Sequence, residues 1–254
     1  MGWETRIFVE IPNESVQNHW TVRHAPFAQA FLAGCAIQPS SKDRTDHYLG
    51  HPNVDRSHEI GFKERGGGGT LEMKLVAARE GDLEYWTKYH SGVVLPSTYK
   101  TMADYRAFLQ SLPRDNRIAA LLNVEQFDRV TVHKRRVRLN VGGLGGEETD
   151  CEFVLGNHRI LLRSWAIEGD YVQMVQQHHA AWWQRIQSAS MVSGQTAPRF
   201  WIASYPGMIV ELSQLISTKG VDGSIAMNGV HEKERQPADG QPPPKRRKSL
   251  PEHQ

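Results

Sequence analysis

The sequence predicts an α+β fold: an antiparallel β-barrel with surface helices. Three observations carry this. Apolar and polar residues alternate with a period of two through most of the chain. The alternating runs follow one another across glycine-rich turns, as hairpins do. No strand–helix–strand repeat, and no internal repeat of any other kind, interrupts them.

Each element follows in order. In "WETRIFVEIP" Thr5, Ile7, Val9 and Ile11 share one face and Glu4, Arg6, Phe8 and Glu10 the other, a strand ended by Pro12. "APFAQAFLAG" predicts a short helix stopped by Gly34. "RTDHYLG", residues 44–50, predicts a short strand. "HEIGFKER" and "TLEMKLVA" predict two strands around Gly66–Gly69, and "YWTKYHSGVVL" a further one. "MADYRAFLQSLP" and "RDNRIAALLN" predict helices, the first stopped by Pro113. "VTVHKRRVRLNV" is a basic strand, "GGLGGEE" a turn, "ETDCEFVLG" an acidic strand and "RILLRSWAIEG" another strand. Residues 170–189 predict a helix, and "APRFWIASYPGMIVELSQLIS" a strand and a last helix. This bounds one domain over residues 1–220. The Pro-rich basic segment 221–254 predicts a disordered tail.

Composition excludes several classes. Lys plus Arg is 30 against 28 for Asp plus Glu, so bulk charge selects no partner. Cys35 and Cys151 make neither a disulfide framework nor a zinc spacing. The lack of a signal peptide and of a long apolar run predicts a soluble protein of nucleus or cytoplasm, with no membrane partner. The four glycines are followed by a strand, with no Lys-Ser or Lys-Thr pair, so they predict a hairpin turn rather than a phosphate-cradling loop. His178 and His179 are adjacent on a helix and diverge; Trp182 and Trp183 read as packing anchors. Cys151 alternates onto an apolar face and reads as core.

The charges on the strands carry the functional reading. Lys63 and Arg65 share a face, as do Glu72 and Lys74, and Lys134, Arg136 and Arg138. Glu148, Asp150 and Glu152 share another, opposite Thr149, Cys151, Phe153 and Leu155. Ser164, Ala166 and Glu168 align. Like charges stacked on one face repel unless opposite charge or a ligand compensates. Closure into a barrel turns one set of faces inward. A basic wall would then neutralise a polyanion, and an acidic wall would hold Mg²⁺ or Mn²⁺, which prefer oxygen ligands. That combination suits phosphoryl chemistry.

The order of these strands resembles the triphosphate tunnel metalloenzyme superfamily, the CYTH-like proteins. "ETR" stands in the place of the opening motif, "TDHYL" in that of the aspartate-tyrosine strand, and "GFKERGGGGTLEMKL" resembles the hairpin. "HKRRVRL", "ETDCEF" and "WAIEG" stand for the later strands, and the likeness covers residues 3 to 215. The resemblance implies a barrel-shaped tunnel and metal-dependent hydrolysis of a triphosphate or polyphosphate. Non-catalytic polyanion binding and RNA 5′-triphosphatase action are the alternatives. It implies Glu4, Glu72, Glu152 and Glu168 as catalytic residues. Arg6, Lys63, Arg65, Lys74, Lys134, Arg136 and Arg138 would hold substrate; Glu4, Glu148, Asp150, Glu152 and Glu168 would hold metal. Two departures weaken metal binding: no second glutamate and lysine follow Glu4 at the family spacing, and Ala166 stands where a glutamate is expected. Lys245, Arg246, Arg247 and Lys248 in "PPPKRRKS" resemble a nuclear import signal, implying an import receptor as partner.

Overall fold

The computed structural model describes residues 2–10, 26–50, 56–66, 70–89, 101–192 and 199–219. The expected tail and its basic cluster lie outside the described residues. The strands are β1 (Trp3–Glu10), β2 (Cys35–Gly50), β3 (Ile60–Arg65), β4 (Thr70–Glu80), β5 (Leu83–Tyr89), β6 (Asp128–Val141), β7 (Leu144–Leu155), β8 (His158–Gly169) and β9 (Phe200–Ile202). The helices are α1 (Pro26–Leu32), α2 (Met102–Gln110), α3 (Asn116–Leu122), α4 (Val172–Val192) and α5 (Tyr205–Lys219).

The antiparallel order is β5-β4-β3-β2-β6-β7-β8-β1, and β1 returns to β5, so the sheet closes on itself. The expected barrel is thereby observed. Its closing seam is narrow: Trp3 faces Tyr85 and Glu4 faces Glu84. Farther along the same edge of β1, residues Ile7 to Val9 pair with β9. The chain then enters α5.

Among the described residues the expected element types hold and their bounds shift for local reasons; the "HSGVVL" end of the expected strand at 85–95 lies outside them. Strand β2 begins at Cys35, nine residues before the expected start. The break between Ile37 and Ser41 is a bulge around "QPS", and proline at a bulge loses no ladder bond. "GGLGGEE" is not a seven-residue turn. Gly142 and Gly143 alone make the reversal, both at positive φ, and Asn140 accepts a hydrogen bond from the Gly143 amide. Strand β7 therefore starts at Leu144 and includes Glu147. Arg65 lies directly opposite Thr70, so β3 and β4 pair as antiparallel neighbours, while Gly67–Gly69 of the expected turn lie outside the described residues.

Three apolar clusters hold the barrel. Phe62, Met73 and Leu75 on the outside of β3 and β4 pack against Tyr105, Phe108 and Leu109 of α2, whose start is fixed by a Thr101–Asp104 capping box. Ile7, Val9, Trp165 and Ile167 on the outside of β1 and β8 pack under α1 and α4, with Phe31 stacked on Trp165 at 4.3 Å between centroids. The third cluster is inside. Phe8, Tyr48, Val132, Phe153 and Leu162 meet Tyr205, Met208 and Leu212, so α5 fills one portion of the lumen with apolar side chains. The charges occupy what α5 leaves.

Candidate functional site

Residues directly across a strand pair share a face, so the register sorts inside from outside. Phe8, Tyr48 and Phe153, which meet α5, define the inner face. On it β1 places Glu4 and Arg6, β2 Lys42, Arg44 and Asp46, β3 Lys63 and Arg65, and β4 Glu72 and Lys74. Strand β5 adds Glu84 and Lys88, β6 Lys134, Arg136 and Arg138, β7 Glu147 and Thr149, and β8 Ser164, Ala166 and Glu168.

All seven expected substrate-binding cations, Arg6, Lys63, Arg65, Lys74, Lys134, Arg136 and Arg138, therefore share the inner face. Glu4, Glu72 and Glu168 do so as well. Glu148, Asp150 and Glu152 do not, which corrects the inward acidic wall. They lie across from Val137, Arg135 and His133, on the outer face of the sheet, where Glu148 is buried. Asp150 pairs with Arg163 at 2.7 Å and Glu152 with Arg159 at 3.1 Å, while Arg163 also approaches Glu148 at 3.8 Å. The reason is α5. Because it makes part of the lumen apolar, the Cys151–Phe153–Leu155 face of β7 turns inward and the acids turn out.

Alternation back from Cys151 through Thr149 reaches Glu147, the inner carboxylate of β7. Reading "GGLGGEE" as a turn hid it. Glu147 is gripped on both oxygens: Oε1 takes Arg6 at 2.6 Å and Oε2 takes Arg136 at 3.1 Å. Burial alone would raise its pKa, but Arg6 and Arg136 outweigh it and hold the carboxyl at about 2. Arg6 also contacts Glu4 at 3.0 Å, donates to Ser164 Oγ at 3.1 Å and lies 4.5 Å from the Tyr205 ring centroid.

A second network centres on Asp46. Lys134 approaches it at 2.9 Å, Arg44 at 3.0 Å and Lys63 at 3.3 Å. Burial favours its protonated form, yet Lys134, Lys63 and Arg44 together hold it well below the usual carboxylate range. Lys134 also donates to Tyr48 Oη at 3.0 Å. Burial, then repulsion from Lys63, pushes its ammonium down to about 7 against the pull of Asp46. Glu72 is bound by Lys63 at 3.3 Å, Arg65 at 2.9 Å and Lys88 at 2.9 Å; these cations overcome burial and hold it at about 2.

Cations also face cations. Lys42 lies across from Arg136, Arg44 from Lys134, and Lys74 from Lys88. Like charges directly opposite destabilise a sheet. Acids cluster elsewhere: Glu4 lies between Glu84 and Glu168 on neighbouring strands. Glu84 was missed because "LEYWTKY" shows a lone acid among aromatics. Burial raises its pKa, with Glu4 adding to the rise.

Among the described residues, no three His, Cys, Asp or Glu side chains gather in a group able to hold an ion. Glu4 is drawn to Arg6 and Glu84 to Arg79 at 2.9 Å. The outward Glu148, Asp150 and Glu152 cannot join Glu4 and Glu168 around one ion. Cys151 lies inside, 3.4 Å from Tyr205 Oη, with burial raising its pKa. His179 meets Thr5 Oγ1 at 3.1 Å beneath α4, clear of the lumen, and no helix among the described residues is long and apolar enough to cross a membrane.

Comparison with known proteins gives structural neighbours only. No family model matches the chain, and no curated protein matches it. Among solved structures it is similar to the PH1819 protein from Pyrococcus horikoshii OT3, at 14% identity, 82% of this chain, 99% of that one and a TM-score of 0.41. It is also similar to a Bacillus halodurans protein described as "a putative adenylate cyclase", at 11% identity, 77% of this chain, 95% of that one and a TM-score of 0.37.

Proposed function

We propose that the barrel interior binds a compact polyanion of the triphosphate or polyphosphate class. The observation that carries this is the set of opposed cation pairs on the inner face, Lys42 with Arg136, Arg44 with Lys134 and Lys74 with Lys88. Asp46, Glu72 and Glu147 offset part of their repulsion, and an anion spanning β2, β6, β4 and β5 would relieve the rest. Arginine forks match phosphate oxygens, and lysines supply compact charge beside them. The motif resemblance to triphosphate tunnel metalloenzymes supports the same ligand class.

Hydrolysis with Mg²⁺ or Mn²⁺, which that resemblance also implies, calls for inner carboxylates with free oxygens. Here Glu4, Asp46, Glu72, Glu84 and Glu147 are tied to arginines and lysines, so binding is the reading that the geometry supports best. Calorimetry with tripolyphosphate, ATP and triphosphate-ended RNA tests it, beside a phosphate-release assay supplemented with each metal. Saturable binding of one of these without phosphate release is the expected result. Absence of binding to all of them overturns the proposal.

A further inference from the structure

We infer that Glu147 is an internal counter-anion, and that the barrel takes its polyanion free of divalent metal by exchanging Glu147 for the ligand on Arg6 and Arg136. The inference rests on the proposed polyanion binding and deepens it. Both oxygens of Glu147 are engaged, Oε1 by Arg6 at 2.6 Å and Oε2 by Arg136 at 3.1 Å. The only further hydrogen bond it accepts among the described residues is from Thr149 Oγ1, at 3.4 Å. A carboxylate held in this way bridges two guanidinium forks, as a phosphate would.

The exposures set the direction of exchange. The Glu147 side chain is 17% exposed and that of Arg136 21%, whereas that of Arg6 is 5% exposed. The carboxylate and the outer arginine can therefore meet solvent and ligand, while Arg6 stays fixed, braced by Ser164 and Tyr205. Arg6 also has Glu4 at 3.0 Å, but that carboxylate does not reach Arg136, so Glu147 is the anion that joins the two guanidiniums until a ligand arrives.

Two further inner carboxylates, Asp46 and Glu72, are held in the same way. Asp46 has both oxygens on cations, Oδ1 on Arg44 and Oδ2 on Lys63 and Lys134. A divalent ion would have to displace these cations and then sit among them. Fixed ammonium and guanidinium groups already neutralise the charge that a metal would neutralise, so a polyanion brings its own charge to a site prepared for it.

The test is calorimetry with tripolyphosphate in EDTA and in excess Mg²⁺, together with Mn²⁺ titration of the ligand-free protein followed by electron paramagnetic resonance. The expected result is full affinity in EDTA, weaker apparent affinity in Mg²⁺ because the ion sequesters the free ligand, and no stoichiometric Mn²⁺ site. Glu147→Gln is expected to bind about tenfold tighter, having lost a competing charge. Binding that appears only with metal, or a Mn²⁺ site of one per chain, overturns the inference and leaves polyanion binding standing. Failure of tripolyphosphate to bind in any condition overturns both. Should Glu147→Gln fail to fold, the wild-type comparison of EDTA with Mg²⁺ decides alone.

Discussion

The Nζ of Lys134 stands 3.4 Å from the centroid of the Tyr205 ring. One residue belongs to the middle of β6, the other opens α5, so this contact joins the charged part of the lumen to its apolar filling. It is a cation–π contact in a dry place, where such contacts are strongest.

The basic limb of the stability curve follows from Lys134. Its pKa in the fold is depressed from the usual lysine value to about 7. Between that value and the lysine value of the unfolded chain, the unfolded state holds the extra proton. Stability contributed by this group therefore rises with pH across that interval, and the penalty is fully present below it. Urea midpoints measured from pH 7 upward should show this rise in the wild type, and Lys134→Met should flatten it.

The acid limb follows from Glu72 and Glu147. Both are held at about 2, below their ordinary 4.5. Their contribution is complete above the ordinary value and disappears as pH falls from there toward 2, since the native state then has to take up protons that the unfolded state already holds. Each is worth about 3 kcal/mol at neutral pH. Acid titration by circular dichroism should show Glu72→Gln less stable at pH 7 and converging with the wild type near pH 2.

Inner and outer charges should separate cleanly on ligand binding. Arg136→Ala should weaken tripolyphosphate by about 1.5–3 kcal/mol, the value of a charge-assisted hydrogen bond. Glu152→Gln removes an outward charge paired with an exposed arginine and should change affinity and stability by less than about 0.5 kcal/mol. Calorimetry on both variants measures the difference. Comparable losses in the two would contradict the register-based sorting of β7.

The outer cluster under α1 and α4 should carry much of the fold. Phe31 stacks on Trp165 and meets Trp182 edge-on at 4.9 Å. Phe31→Ala should cost about 3–5 kcal/mol by opening a cavity between helix and sheet. Thermal denaturation of the variant gives the number.

The sequence announced the barrel because alternation and glycine turns are local signals, and β1, β3, β4, β6 and β8 obey them. It placed the basic residues inside because Lys134, Arg136 and Arg138 alternate onto one face and closure of a barrel turns one set of faces inward. It misplaced Glu148, Asp150 and Glu152 because alternation shows only that two faces differ. Which face turns inward on β7 depends on α5, whose Tyr205 and Met208 arrive from more than fifty residues away. It missed Glu147 because four glycines within five residues read as turn, although only Gly142 and Gly143 need positive φ in that run. It missed Glu84 because the β1–β5 seam, which sets that acid beside Glu4, is a long-range closure with no local signature.

That seam has a consequence for how the protein is made. Strand β1 leaves the ribosome ahead of its principal partner β8, which begins at His158, and of the segment that covers the rest of its edge, which begins at Phe200. Until those residues are synthesised, the emerging β1 has only two residues of β5 to pair with. The lumen cannot seal before α5 has emerged. The barrel must therefore close after β8 and α5 are synthesised, and β1, with the alternating apolar residues Ile7 and Val9, is the strand a chaperone would meet unpaired.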